Sequence, residues 1–346
     1  MPGTLLHYSG LVTKTRSMSG SLLTKKELEQ LTELATVNEA IQYLRGTRGY
    51  GAVFRGREEV WHRGQAEAVI TDSLYRDFER LYRFADAGQR KPFQYIFTRY
   101  EIDQLKICLK YFFHEHMEEK EMFVDDFFER HTRFSLEHLK RAGSLKEFEQ
   151  ELAGTGYERV FAKLQNAGAQ SYVDYAMALD INYYTTVYRD IRRMKRSGMR
   201  NLLLDIYGTQ IDWLNIMWIY RSKRFYSQSQ AELFASLIPA TFRLRKEELR
   251  RMTGAADVQE LLKHLAGTAY FNGKDALMKM EDEISYRRIV EDTYRRVSRN
   301  YPMSIAPVLT YLYEKEQEID RLTSIIEGIR YQVPPREIRD IILLTT

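Results

Sequence analysis

One twelve-residue phrase occurs three times in this chain, and the repetition restricts the fold more than any single residue does. It reads TVNEAIQYLRGT at residues 36–47, SLKEFEQELAGT at 144–155 and DVQELLKHLAGT at 257–268. Aligned without gaps, the copies match Val37 with Leu145 and Val258, Glu39 with Glu147 and Glu260, and Leu44 with Leu152 and Leu265. All three end on Gly-Thr, at Gly46-Thr47, Gly154-Thr155 and Gly267-Thr268. Apolar second, fifth and ninth positions with a charged fourth give one buried helical stripe. The glycine that follows predicts a stop in the left-handed conformation. Charged runs with spaced leucines precede the copies, LLTKKELEQL, FSLEHLKRA and FRLRKEELRRM, so each unit reads as a pair of helices.

A second phrase recurs out of phase with the first: EIDQLKICLKYFF from Glu101, QIDWLNIMWIYRSKRFY from Gln210 and EIDRLTSIIEGIRYQ from Glu318. Ile102, Ile211 and Ile319 are the matched apolar positions. Ile102, Leu105, Leu109 and Phe112 pair with Ile319, Leu322, Ile326 and Ile329, a three-and-four spacing that one helix face buries. The middle copy keeps Ile211, Leu214 and Trp218 on that face and then places Arg221 there. The chain is thus expected to be all-α, in three related blocks at residues 1–130, 131–235 and 236–346.

Composition narrows the function classes. With 346 residues, only 7 prolines and 44% apolar residues, the chain suits a helical protein with a sizeable core. A mean hydropathy of −0.47 and no long apolar run argue against a membrane span. No charged start followed by an apolar stretch reads as a signal peptide, and the lone Cys108 excludes an intrachain disulfide. The near balance of 52 basic and 48 acidic residues does not call for nucleic acid.

Chemistry-bearing motifs are sparse. GYGAVFRG at 49–56 lacks the glycine spacing that cradles a pyrophosphate and reads as a connection between helices. In HEHMEEKE, His114 and His116 stand two apart and project to different sides of a helix, so a solvated charged face is expected instead of a zinc site. Cys108, between Ile107 and Leu109, reads as core, and the 24 Tyr and 17 Phe read as interhelical packing. No catalytic set, cofactor site or metal site emerges. One charged feature stands out in YTTVYRDIRRMKRSGMR: Arg189, Arg192, Arg193, Arg196 and Arg200 follow helical spacing on one side, while Tyr184, Val187, Ile191 and Met194 line another. Such a stripe is either a solvated, internally paired face or a surface for an anionic partner.

The three blocks with Glu-Ile-Asp-x-Leu, QIDWLNIMWIYRSKRFY followed by LIPATFRL at 237–244, and EGIRYQVPPREIRDII at 327–342 resemble the C subunit of the bacterial and archaeal V/A-type ATPases, whose eukaryotic counterpart is the d subunit. Arg16, Met18 and the Leu-Leu-Thr at 22–24 resemble the family's opening helix. Ala240-Thr241 departs from it, standing where relatives tend to be glycine-rich, and the second lead-in is shorter than the other two. The resemblance implies a funnel with pseudo-threefold symmetry and a central cavity. It also implies a non-catalytic central-stalk component, present once per complex on the cytoplasmic face of the membrane, peripheral through its partners. There it would join the central shaft to the proteolipid ring and transmit rotation for ATP-driven ion transport or ATP synthesis. The competing reading is a free-standing helical adaptor or a nucleic-acid binder that uses the basic stripe.

Overall fold

The computed structural model describes residues 7–55, 63–113, 126–166, 168–226, 228–271 and 282–343, and every regular element among them is a helix. Both recurrent phrases appear as recurrent local structure. The first builds three helix pairs, Lys25–Thr32 with Val37–Arg45, Leu136–Arg141 with Leu145–Glu151, and Lys246–Gly254 with Val258–Ala266. The second lies in three core helices, Phe93–Phe113, Thr209–Phe225 and Ala306–Arg330.

The second helix of each pair starts in the same way. The side chains of Thr36, Ser144 and Asp257 accept the backbone N–H of Glu39, Glu147 and Glu260. Those glutamates reach back to the backbone N–H of Ala35, Gly143 and Ala256. Two otherwise orphaned donors are thereby satisfied at each start, which explains the charged fourth position of the phrase.

The ends differ from the expectation. Only Gly154 adopts a left-handed backbone, at φ +76°. Gly46 and Gly267 sit at φ −78° and −79°, in ordinary right-handed geometry. The element common to all three stops is the threonine that follows. The hydroxyls of Thr47, Thr155 and Thr268 donate to the carbonyls of Leu44, Leu152 and Leu265 at 2.6–2.7 Å, satisfying carbonyls that the ending helix leaves open.

The chain forms two compact units. One combines residues 1–81 and 188–346, and the other comprises residues 82–187. In the first unit the third pair packs on the second core helix, where Trp213, Ile216, Ile219 and Tyr220 meet Leu249, Met252, Leu261 and Leu265. The first pair packs on the third core helix. In the second unit the second pair packs on the first core helix. There Phe148 lies against Phe112 and Phe161, and buried Cys108 sits beside the Leu139 carbonyl as a core residue.

The fragment at 49–55 forms turns, consistent with a connection, and Gly56 lies outside the described residues. A Cβ on Gly49 would stand 2.5 Å from the Ser21 carbonyl oxygen, so this glycine serves a close approach of two backbone segments. His114 and His116 also fall outside the described residues.

Candidate functional site

Each helix pair is fastened to its core helix through one buried carboxylate and one tyrosine. The tyrosine follows the Gly-Thr stop by two or three residues, as Tyr50, Tyr157 and Tyr270. Tyr157 donates its hydroxyl to Glu101 Oε2 at 3.1 Å, Tyr270 to Asp212 Oδ2 at 2.9 Å and Tyr50 to Glu318 Oε1 at 2.8 Å. The same carboxylates collect backbone N–H groups from the segment leading into the pair. Asp212 accepts Phe242 at 3.0 Å, Arg243 at 2.7 Å and Leu244 at 3.1 Å. Glu318 accepts Leu23, and Glu101 accepts Arg133. One buried, hydrogen-bonded carboxyl group thus positions both ends of each pair against its core helix.

This arrangement displaces the middle copy of the second phrase. The matched glutamates would place Gln210 beside Glu101 and Glu318, but Gln210 instead donates to the Tyr294 hydroxyl, and the latch carboxylate is Asp212, two residues on. The buried face moves with it. Ile102, Leu105 and Leu109 correspond to Ile319, Leu322 and Ile326, as the spacing predicts, and in the middle helix to Trp213, Ile216 and Tyr220. Ile211 is buried, yet Leu214 and Trp218 are only half-buried. A π-helical turn at Leu204–Gly208 runs directly into this helix. A Cβ on Gly208 would fall 2.5–2.9 Å from Phe242 side-chain atoms, so the bare glycine lets Phe242 lie against the helix and deliver the 242–244 amides to Asp212. Asn215 extends the clamp by exchanging two hydrogen bonds with the Ile238 backbone. LIPATFRL is therefore held at both ends by one helix.

The three carboxylates differ electrostatically. Burial pushes Glu101 up to about 7, opposed by the Tyr157 hydroxyl and by Arg133. Burial also raises Asp212, but three backbone N–H groups and Tyr270 resist that shift. Glu318 has a cation as well. Lys315 Nζ lies 2.9 Å from Glu318 Oε1 and 2.8 Å from the Tyr50 hydroxyl, and 4.0 Å from the centre of the Tyr50 ring. Burial first, and the neighbouring carboxylate second, raise all three latch tyrosines, so they stay protonated and act as donors.

The basic stripe lies next to the Asp212 latch. Its helix, Tyr172–Arg193, ends sooner than the spacing predicts. Ser197 caps a new helix by accepting the Arg200 N–H, which leaves Arg196 between helices and Arg200 in Gly198–Leu203. Arg189, Arg192, Arg193 and Arg196 are exposed and Arg200 is half-buried. Arg189 faces Asp190 at 3.8 Å. Arg192 and Arg200 both act on Tyr188, lowering its pKa against the larger upward push of burial. The Tyr188 hydroxyl donates to the Thr241 carbonyl, inside LIPATFRL. Elsewhere in the same unit, a cavity of about 510 Å³ is lined by Arg16, Arg295 and Arg299 facing Asp292 and Glu314.

The sequence pattern of the ATP synthase (C/AC39) subunit family matches residues 11–341. The chain belongs to this family. Among its relatives, the C subunit of the A-type ATP synthase of Pyrococcus horikoshii is 25% identical over 350 residues, covering 97% of this chain and 90% of the relative. That of Methanothermobacter thermautotrophicus is 24% identical over 329 residues, covering 92% and 82%. That of Archaeoglobus fulgidus is 28% identical over 207 residues, or 58% of this chain and 57% of the relative. Within this C/AC39 member the Gly-Thr stops, the isoleucines and the arginine stripe were all visible in the sequence. Of the latch residues, Glu101, Asp212 and Glu318 stand in the second recurrent phrase without a role read for them, and Tyr50, Tyr157 and Tyr270 were not singled out. The signal that would have found them is a tyrosine trailing each Gly-Thr at nearly constant distance. No helix among the described residues is long and apolar enough to cross a membrane.

Proposed function

We propose that this chain is the non-catalytic central-stalk subunit of a V/A-type rotary ATPase. It would serve as a socket between the central shaft and the proteolipid ring on the cytoplasmic face of the membrane, passing rotation between them during ATP-driven ion transport or ATP synthesis. The observation that carries this reading is the family match over residues 11–341, with C subunits of A-type ATP synthases aligned along most of their length. The docking pattern supports it physically. The second pair docks on the first core helix, the third pair on the second, and the first pair on the third, a pattern we read as a cycle of connections. Three blocks, at residues 1–130, 131–235 and 236–346, would by this cycle surround a cavity in a funnel of pseudo-threefold symmetry. A cycle of buried latches resists shear in the way a torque-transmitting part needs.

Coupling without slip requires an extensive interface, on the scale of permanent assemblies at roughly 2,000 Å² or more. Arg189, Arg192, Arg193 and Arg196 supply the long-range attraction toward acidic loops of the ring or shaft, and apolar burial then holds the contact. Affinity purification of the tagged chain from gently solubilised membranes tests the reading. Catalytic, shaft and proteolipid components are expected in an eluate with ATPase activity. Recovery of the chain alone, or with nucleic acid removable by moderate salt, contradicts it. Replacing the four arginines by glutamate is expected to abolish this co-elution while the circular dichroism of the purified chain stays unchanged. Retention of an intact, coupled complex would remove the stripe from the interface.

A further inference from the structure

The three latches are alike in their tyrosine and carboxylate but unlike in what surrounds them. Latch partners lie 56 residues apart for Tyr157–Glu101 and 58 for Tyr270–Asp212, but 268 for Tyr50–Glu318. The Tyr50–Glu318 latch thus joins segments that no short connection keeps together. Arginines act on the other two latches, Arg133 on Tyr157 and Arg243 on Tyr270, but here the cation is a buried lysine hydrogen-bonded to both the tyrosine and the carboxylate. Lys315 stands three residues before Glu318, whereas Thr98 and Thr209 stand at the same offset before Glu101 and Asp212. Lys315 and Glu318 are both almost fully buried, with side chains 3% and 4% exposed. An isolated buried amine is costly, and here the carboxylate, the tyrosine hydroxyl and the ring face all compensate it. The Leu23 N–H completes the set at the entrance to the first pair. Beyond it, Arg339 of the helix Pro335–Leu343 pairs with Glu33 at the end of Lys25–Thr32.

We infer that Lys315, Glu318 and Tyr50 form a clasp that retains the first helix pair on the last core helix, and that this clasp keeps the cycle closed under load. Its retention of the pair stands on geometry, and its role under load rests on the rotor reading proposed above. The clasp fails as a local event. Opening it frees the first pair, while the Asp212 latch keeps the third pair docked.

Native-state hydrogen exchange on the full chain tests the first part, using Lys315→Met, which keeps length and removes charge, and Tyr50→Phe, which removes one hydroxyl. Exchange of the Leu23 amide and of the helices Lys25–Thr32 and Val37–Arg45 is expected to accelerate by on the order of a hundredfold in Lys315→Met. About tenfold is expected in Tyr50→Phe. The amides of Phe242, Arg243 and Leu244 should keep their wild-type rate in both, and should be the ones accelerated in Tyr270→Phe. Equal acceleration throughout the chain, or none, would overturn the clasp as a separate element. The second part is read in membrane vesicles carrying the assembled complex, as ions transported per ATP hydrolysed. Lys315→Met should lower that ratio more than Tyr270→Phe does, and equal ratios would overturn the load-carrying role. If the chain does not co-purify with ATPase components at all, the rotor reading fails while the exchange result still decides the clasp.

Discussion

Glu101 carries its proton at a pH where an exposed glutamate has lost it, because burial raises its pKa to about 7 from 4.5. The sign of the consequence follows from linkage. Below about pH 4.5 both folded and unfolded chains hold the proton, and the folded state is not penalised. As pH rises toward 7 the unfolded chain ionises first, so stability falls, and the loss is complete above that value. The full difference is on the order of 3 kcal/mol. Glu101→Gln, which still accepts from Tyr157, is expected to match the wild type in urea unfolding near pH 4.5 and to be the more stable at pH 8. An identical difference at both pH values would show that burial of the charge is not the cause. Gly208 gives a second residue-scale prediction. Ala at this position gains helix propensity but places its methyl against the Phe242 Cβ and ring, so it should cost about 1–3 kcal/mol in thermal or urea unfolding. A stabilised Gly208→Ala would refute the close-approach account. Residues of this kind were illegible in the sequence for a plain reason. A buried carboxylate looks like any other until its partner, 56 to 268 residues away, is placed beside it.

At the level of elements, local chemistry was the legible part. The Glu at the fourth position of each first phrase closes a cap within four residues of its own backbone, so the sequence alone locates those helix starts. Removing the cap acceptor in Thr36→Ala, Ser144→Ala or Asp257→Ala should cost about 1 kcal/mol each in chemical denaturation. Near-neutral effects at all three sites would mean that the pairs are held by packing alone. Two other readings failed where a local pattern met a competing one. The arginine spacing from Arg189 to Arg200 suits a continuous helix, but Ser197 offers its side chain to the Arg200 N–H and starts a new one. The Ile-Asp match at Ile211-Asp212 aligns letters, whereas the core reads the face. Trp213, fully buried, takes the place that Ile102 and Ile319 hold in the other copies. The Gly-Thr stops carry a related lesson. The glycine drew attention, and it is the threonine hydroxyl that makes the shared bond.

Across the whole molecule, fold class and repetition were readable because helical periodicity and repeated phrases survive without any knowledge of contacts. Which pair docks on which core helix was not readable, since the first pair skips its own block and joins the last core helix. In the proposed reading that exchange would join three similar helical stretches into a cycle, and it underlies the proposed role as a socket that transmits rotation without reacting. The most direct measurement is made on membrane vesicles from cells lacking this chain, with ATP hydrolysis and ion transport followed in the same preparation. The account predicts that hydrolysis persists in the catalytic part while ATP-driven transport disappears, and that adding back the purified chain restores transport. Transport at the wild-type ratio to hydrolysis in the absence of the chain would contradict it.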